Sequence, residues 1–236
     1  PPAPLDIQIP VEELGERKRA LARREAAVAQ DLPVVQRVDF GPAFLPALAG
    51  AGFESDGATS WNHPVAERCR DLRIPAFNPD QPLWISYHQR REALHAAWSW
   101  DGFLPGHTNN VGPLDIVAAL LGPENLALEM LDDPQGVAEV AAQAADLFRA
   151  VMRDEVAALR RAGLDGGTID TFRIWMPGDG TRLTEDVATL VGPEVVRALF
   201  TPADRRAVAG FDRVLYHTHS AAWRNIPRLV ELGLPV

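Results

Sequence analysis

Segments with the composition of β-strands alternate with helical segments along most of this chain of 236 residues. The first predicted strand covers 33–40, is rich in β-branched residues, and is followed by a helix over 44–48. A short strand over 102–107 is followed in turn by a helix over 113–121 with Pro113 at its start. This order predicts parallel strand pairing, in either a doubly wound sheet or a (β/α) barrel.

The alternation continues through the second half of the chain. The longest predicted helix has Asp133 as its N-cap and Pro134 in its first turn, and it ends at Gly163. A strand over 167–175 and a loop rich in Pro and Gly come next. The other predicted elements are helices over 12–30, 87–99, 193–199, 203–210 and 223–232 and a strand over 213–219, with no assignment for 56–86.

The barrel is favoured over the doubly wound sheet because no dinucleotide-binding glycine motif follows a strand and no Walker loop is present. Five or six strands can be counted, whereas a closed barrel needs about eight. We therefore expect a single (β/α)-barrel domain over 1–236, with a helical N-terminal extension over 1–30. The sequence stops where another strand should begin, so the final strands of the barrel are expected to be missing.

Composition narrows the classes of partner and location. A net charge of −9 argues against nucleic acid, which is bound through clustered Lys and Arg. The longest apolar stretches are too short to cross a membrane and no leader opens the chain, which predicts a soluble, cytoplasmic protein. Cys69 is the only cysteine, so the sequence offers neither an internal disulfide nor a thiolate-rich metal site.

Three groups of polar residues follow predicted strands, at the end where barrels bind ligands. The first group is His107, Asn109 and Asn110, with Asp115 close behind in the first turn of a helix. We interpret the first three as substrate-binding residues. Asp115 either joins them or interacts favourably with the positive start of its helix.

The second group runs from Trp175 to Asp186. Thr184 is a candidate N-cap, in which case Glu185 and Asp186 belong to the first turn of a helix. Alternatively, the two carboxylates supply an acid/base group or hold a cation, which requires burial to raise one pKa. We expect Trp175 to contact substrate and Asp186 to act in the site.

The third group is Tyr216, His217 and His219 at the end of the last predicted strand. Residues two apart on a strand share a face, so both imidazoles can enter one pocket. Such a pair suits metal ligation, proton transfer or carboxylate binding, although histidines on an apolar strand also occur as packing residues. We predict catalytic or metal-binding roles for His217 and His219 and substrate contact for Tyr216.

These segments, taken in order, resemble the uroporphyrinogen decarboxylase-like superfamily, which also contains cobamide-dependent methyltransferases. The similarity extends from about residue 31 to the end of the sequence. Its segments are Asp39-Phe40-Gly41-Pro42, Thr59-Ser60-Trp61, Gly112-Pro113-Leu114-Asp115-Ile116, Leu131-Asp132-Asp133-Pro134, Thr184-Glu185-Asp186, Gly192-Pro193-Glu194 and Tyr216-His217-Thr218-His219-Ser220.

The resemblance implies a (β/α) barrel that binds a small organic substrate in its mouth. Gln36-Arg37-Val38-Asp39 is not the arginine-rich motif with which true decarboxylases of the family grip propionate groups. The zinc methyltransferases carry His-x-Cys at the strand end, where His217 matches and His219 replaces the cysteine. The resemblance thus favours a methyltransferase-like enzyme with zinc held by His217 and His219 and a corrinoid protein as partner. A porphyrinogen-type decarboxylase and a non-catalytic ligand-binding barrel are the alternatives.

Overall fold

The computed structural model describes residues 5–28, 31–99, 102–219 and 227. The predicted helix over 223–232 lies outside the described residues except for Pro227. Eight α-helices occur in the described part: α1 Val11–Ala26, α2 Phe44–Leu48, α3 Pro82–Ala97, α4 Pro113–Leu121, α5 Pro123–Asp132, α6 Pro134–Arg161, α7 Pro193–Val195 and α8 Thr201–Ala207. A π-helical segment, Val196–Phe200, joins α7 to α8, and a 3-10 helix spans Asp186–Leu190.

The strands are short. They are β1 Val35–Gln36, β2 Glu54–Ser55, β3 Ser60–Trp61, β4 Leu104–Pro105, β5 Gly167–Ile169, β6 Trp175–Pro177, β7 Gly180–Thr184 and β8 Arg213–His217. β1 pairs with β4 and β7 with β8 in parallel, whereas β2–β3 and β5–β6 are antiparallel. The fold is therefore mixed α/β, and only part of the predicted parallel pairing is present.

Three hydrogen bonds connect the two parallel pairs through β5. The backbone N–H of His107, just after β4, donates to Ile169 O at 2.9 Å. The Thr168 hydroxyl of β5 donates to the carbonyl oxygen of Gly180 in β7 and accepts from its N–H, both at 3.1 Å. In the described part of the chain, β1, β4, β5, β7 and β8 thus follow one another side by side. Every sheet there has two strands, so no closed barrel is formed.

The long helix α6 follows the prediction closely. The Asp133 side chain accepts from the Gly136 N–H at 2.9 Å, which satisfies a free donor of the first turn. After the helix, Gly163 adopts a positive φ of 91° and ends it. One face of α6 packs against α4 and α8. Its apolar side chains, including Val137, Val140, Ala144, Leu147, Phe148 and Val151, are buried in the main core.

The same helix carries a buried charge. The Glu155 carboxylate accepts from Arg91 Nη1 at 2.6 Å, from the Tyr87 hydroxyl at 2.8 Å and from the Thr108 N–H at 3.1 Å. Burial alone would raise the pKa of Glu155, but Arg91 and the hydrogen bonds hold it below its usual value. This network therefore joins α3, α6 and the end of β4.

No helix in the described ranges is long and apolar enough to span a membrane.

The predicted strand over 167–175 is instead a hairpin. Asp170 Oδ1 accepts from the N–H groups of Phe172 and Ile174 at 3.0 and 2.9 Å, and Arg173 has a positive φ of 66°. These bonds close a turn, so that β6 returns antiparallel to β5. The sequence pattern missed this turn because an aspartate can bend the backbone inside a run of β-forming residues.

Strand β7 lies where a loop was predicted. This strand is buried on both faces. The side chains of Thr181, Leu183 and Thr184 are enclosed by the core and by neighbouring strands. Thr184 ends this strand and pairs with His217, so it is not the N-cap of a helix. The Gly and Pro residues before β7 form the tight connection from β6 and conceal the strand that follows.

Candidate functional site

Asp186, His217 and His219 come together at the carboxyl ends of β7 and β8. The parallel register places Thr184 opposite His217, so the residues that follow both strands leave at the same edge. One ligand atom from each of the three side chains lies within 4.8 Å of the others. The carboxylate Oδ1 of Asp186 lies 3.6 Å from His219 Nε2, and the two imidazole rings are 5.1 Å apart at 88°. We call these three residues the His-Asp cluster.

Helix α4 fixes the position of Asp186. The Asp115 carboxylate accepts from the N–H groups of Asp186 and Val187, both at 2.8 Å. In return, the Glu185 carboxylate accepts from the N–H groups of Leu114 and Asp115, both at 3.2 Å. Asp115 and Glu185 thus lock the first turn of α4 to the segment after β7. Asp115 does lie at the helix start, and it also acts as a positioning residue for Asp186.

A close backbone approach accompanies this lock. The N–H of Gly112 donates to Thr184 O at 2.6 Å, and a Cβ at Gly112 would overlap that oxygen and the Glu185 carboxylate. The φ of Gly112 is −77°, which any residue can adopt. A glycine is needed here because a side chain has no room. The distance between α4 and β7 therefore depends on this residue.

We expect Gly112→Ala to lower the free energy of unfolding by about 1–3 kcal/mol, because the methyl group has to displace β7 or α4. Urea unfolding measures the change. Gly192→Ala is the matched control: it is also a glycine N-cap before a proline, its φ is −74°, and a Cβ there meets nothing within 4 Å. Equal losses in the two variants would contradict the steric explanation.

Three carboxyl groups are gathered behind Asp186. Burial raises the pKa of Glu185 well above its usual value, and the neighbouring charges of Asp204 and Asp115 raise it further. A side-chain hydrogen bond joins Glu185 to Asp204. Burial also raises the pKa of Asp115 to about 7, although its two backbone hydrogen bonds act in the opposite direction. We call Asp115, Glu185 and Asp204 the carboxyl cluster, which holds protons in the neutral pH range.

Phe172 and Arg182 line the side of the site next to His217. The Phe172 ring lies 4.9 Å from the His217 ring at 36°, and the Arg182 guanidinium lies 4.9 Å from the centre of the same phenyl ring. Burial lowers the pKa of His217, and the charge of Arg182 lowers it further. His217 is therefore neutral at physiological pH, with a ring nitrogen available as an acceptor or ligand.

The two asparagines predicted to bind substrate hold Arg182. Arg182 Nη2 donates to Asn109 Oδ1 at 2.7 Å and to Asn110 O at 2.8 Å, and Nε donates to Asn110 Oδ1 at 3.2 Å. The Asn110 amide also donates to the carbonyl oxygen of Arg182 at 3.1 Å. These contacts give Asn109 and Asn110 a positioning role, because their side-chain oxygens already accept from Arg182.

His107 is not one of the three residues of the His-Asp cluster. It is 1% exposed, and burial lowers its pKa to about 4, so the ring is neutral. Within the described residues, neither ring nitrogen of His107 has a hydrogen-bond partner, and the same holds for Asp170 Oδ2 and Thr184 Oγ1. Buried polar atoms of this kind are uncommon in native structures. They lie at the carboxyl ends of β4, β5 and β7.

Trp175 and Tyr216, which were predicted to contact substrate, have other neighbours within the chain, and their substrate roles stay predictions. The indole of Trp175 packs directly over Gly167 at the start of β5. A Cβ on that glycine would overlap the ring. Trp175 therefore points back along the hairpin, while His217 lies at the end of β8. Tyr216 packs against the hydrophobic core, as does Val214 two residues earlier, so it faces away from His217.

Sequence reasoning missed Asp170, Phe172 and Arg182. Asp170 directly follows β5, which ends at Ile169. A predicted strand with that end would have placed Asp170 among the candidate site residues. Arg182 lies in the strand that the neighbouring Gly and Pro residues concealed. Phe172 reaches His217 only through the hairpin turn, for which the sequence carries no clear signal.

The comparisons with known proteins bear on the fold. No protein-family model matches the sequence, and no curated protein sequence is significantly similar to it. Among solved structures, a methyltransferase from Methanosarcina mazei is similar, with a TM-score of 0.71 and 12% sequence identity. The match covers 99% of this chain and 64% of that chain, so this chain spans less than two thirds of the length of the solved protein. Over nearly its whole length, the chain shares the fold of a methyltransferase.

Proposed function

We propose that this chain forms the substrate site of a methyltransferase-like enzyme, in which Asp186, His217 and His219 hold a divalent metal ion. The observation that carries the proposal is the His-Asp cluster, with its three ligand atoms within 4.8 Å of one another at the ends of two parallel strands. Enzymes with parallel β/α architecture build their sites at this edge. The similarity of fold to a methyltransferase supports the reaction class.

The donor set suits zinc. Two imidazole nitrogens and one carboxylate oxygen form a three-ligand set that leaves a position for a substrate atom. The low pKa of His217, caused by burial and by Arg182, keeps a lone pair available for the metal. Asp186 would supply the third ligand from within this chain. When bound, zinc would act as a Lewis acid toward the substrate.

The residues around the cluster then have separate tasks. Asp115 holds the backbone of Asp186, so that the carboxylate stays near the histidines. Phe172 covers one face of His217. In this proposal the cluster would bind the substrate atom that carries the methyl group. That atom would keep the bonding electron pair when the methyl group passes to the corrinoid of a partner protein, the kind of partner that the resemblance implies.

Zinc titration tests the metal site. We expect about one zinc ion per chain, and His217→Ala or His219→Ala should weaken binding about tenfold or more, because each removes a nitrogen ligand. Asp186→Asn should cause a smaller loss, since an amide oxygen is a weaker ligand than a carboxylate. Isothermal titration calorimetry at pH 7.5, with metal content checked by mass spectrometry, measures these changes.

His63→Ala is the matched control. His63 Nε2 lies 3.0 Å from Glu54 Oε1, so this variant also removes a histidine beside a carboxylate, but on an exposed surface. Its zinc affinity should equal that of the unchanged chain. If His217→Ala and His219→Ala both bind zinc as well as the unchanged chain, the metal lies elsewhere and the proposed function loses its site. Absence of zinc binding in every variant would instead favour a non-catalytic ligand-binding barrel.

A further inference from the structure

Arg182 is a buried cation, and only two of its three guanidinium nitrogens donate hydrogen bonds to described residues. Its residue exposure is 5%, and no carboxylate of the described residues forms an ion pair with it, although the charges of Asp170 and Asp186 act on it from farther away. Nε and Nη2 are used by Asn109 and Asn110, which are neutral partners. No group in the described ranges accepts from Nη1. A buried guanidinium without a counter-ion is costly unless another group supplies the negative charge.

Nη1 is not among the fully enclosed polar atoms that lack partners, so part of its surface is exposed, although the residue as a whole is buried. The phenyl ring of Phe172 contacts both this guanidinium and the His217 ring, each at 4.9 Å from the ring centre. A ligand on Nη1 would therefore lie beside the His-Asp cluster.

The neighbouring acidic groups do not take the place of a ligand. Asp170 and Asp186 interact electrostatically with Arg182, but among the described residues neither forms a hydrogen bond or an ion pair with its guanidinium. Asp170 Oδ1 accepts from two backbone N–H groups of the hairpin, and its Oδ2 has no partner. Arg37 adds a second positive charge near Arg182, and it is itself bound to Asp39 at 3.0 Å. The surroundings of Nη1 therefore favour a negatively charged group.

We propose that Arg182 binds a carboxylate group of the substrate through Nη1, next to the His-Asp cluster. The inference rests on the proposed function for the role of that cluster and deepens it by naming the substrate class, a small carboxylic acid. Asn109 and Asn110 orient the guanidinium for this contact. Arginine is suited to the task, because its N–H groups lie in one plane and match a planar carboxylate.

Acetate is the probe for the test. In metal-free protein, with EDTA present, we expect sodium acetate to shift the NMR signals of the Arg182 Nε–H group and of the Asn109 side-chain amide. The shift should saturate with a Kd on the order of 1–10 mM, as expected for a ligand of four heavy atoms. Arg182→Met should weaken binding about tenfold or more. The Asn109 signal and the backbone signals report on that variant.

A second variant keeps the proposal testable if Arg182→Met does not fold. Asn109→Asp keeps the oxygen that accepts from Nη2 and adds an internal counter-ion, so it should also weaken acetate binding about tenfold. Arg213→Met, an exposed arginine on the neighbouring strand β8, is the control and should bind acetate normally. Zinc is then added to the same samples.

The outcomes separate the two proposals. Acetate binding that depends on Arg182 in metal-free protein supports the carboxylate site, whether or not zinc binds. Acetate binding that appears only with zinc and survives Arg182→Met shows acetate on the metal, which overturns the Arg182 proposal and leaves the metal site intact. No saturable binding to the unchanged chain in either state also overturns it.

Discussion

Glu155→Ala is expected to lower the free energy of unfolding by about 3–5 kcal/mol, because it leaves the buried Arg91 guanidinium without its nearest counter-ion. Arg91 is 2% exposed, and its Nη1 lies 2.6 Å from Glu155 Oε1. The substitution also removes the acceptor of the Tyr87 hydroxyl and of the Thr108 N–H, which are both buried. Asp154, 2.7 Å from Arg91 Nη2, remains and limits the loss.

Chemical denaturation at pH 7 measures this loss. Glu139→Ala is the matched control, since it is the same substitution on an exposed position of the same helix and should change stability by less than about 0.5 kcal/mol. Replacing both Arg91 and Glu155 with methionine should recover part of the stability, because no charge is then left buried. A Glu155→Ala variant as stable as the control would show that the ion pair contributes nothing.

The stability of this chain is expected to fall as the pH rises from about 4 to about 7, as a result of the carboxyl cluster. The pKa of Asp115 is 3.8 in the unfolded reference and about 7 in the folded chain. Between these values the folded chain binds more protons than the unfolded chain, so the free energy of unfolding decreases with pH. The contribution is complete below about pH 4 and is lost once the pH passes about 7.

Asp204→Asn should reduce this dependence. The asparagine amide can donate to Glu185 without a shared proton, and it removes the charge that raises the pKa of that carboxyl. We expect the variant to be more stable than the unchanged chain at pH 8, by roughly 2 kcal/mol, since one pKa unit corresponds to about 1.4 kcal/mol. Thermal unfolding between pH 4 and pH 8 measures how the free energy of unfolding changes with pH.

Asp165→Asn, at an exposed position, is the control and should leave the slope unchanged. A slope in Asp204→Asn equal to that of the unchanged chain would contradict the assigned coupling between Glu185 and Asp204. A slope lost completely would show that Asp115 contributes little by itself.

The helices were predictable because their signals are local. Helix α4 has the predicted bounds, and Asp133 is the N-cap of α6 as expected. Strand β7 was not predictable in the same way, because its burial on both faces depends on contacts with β5 and β8 that are distant in sequence. The predicted barrel is not formed in the described part because every sheet there has two strands and none closes.

The site was predictable where it depends on strand periodicity. The prediction that His217 and His219 share a face near Asp186 is consistent with the observed cluster, whereas their roles stay predictions. Asn109 and Asn110 show why composition alone assigns roles poorly. Their side-chain amides can bind a substrate or an arginine equally well. Only the position of strand β7 in the structure shows that they accept hydrogen bonds from Arg182.

The clamp that Asn109 and Asn110 place on Arg182 also affects how strongly a ligand can bind. A free arginine side chain has about 2 kcal/mol of rotamer entropy, which it normally loses when it closes on a ligand. Three hydrogen bonds already restrict this guanidinium in the folded chain. That entropy is therefore lost during folding, and a ligand arriving at Nη1 meets a preorganised donor.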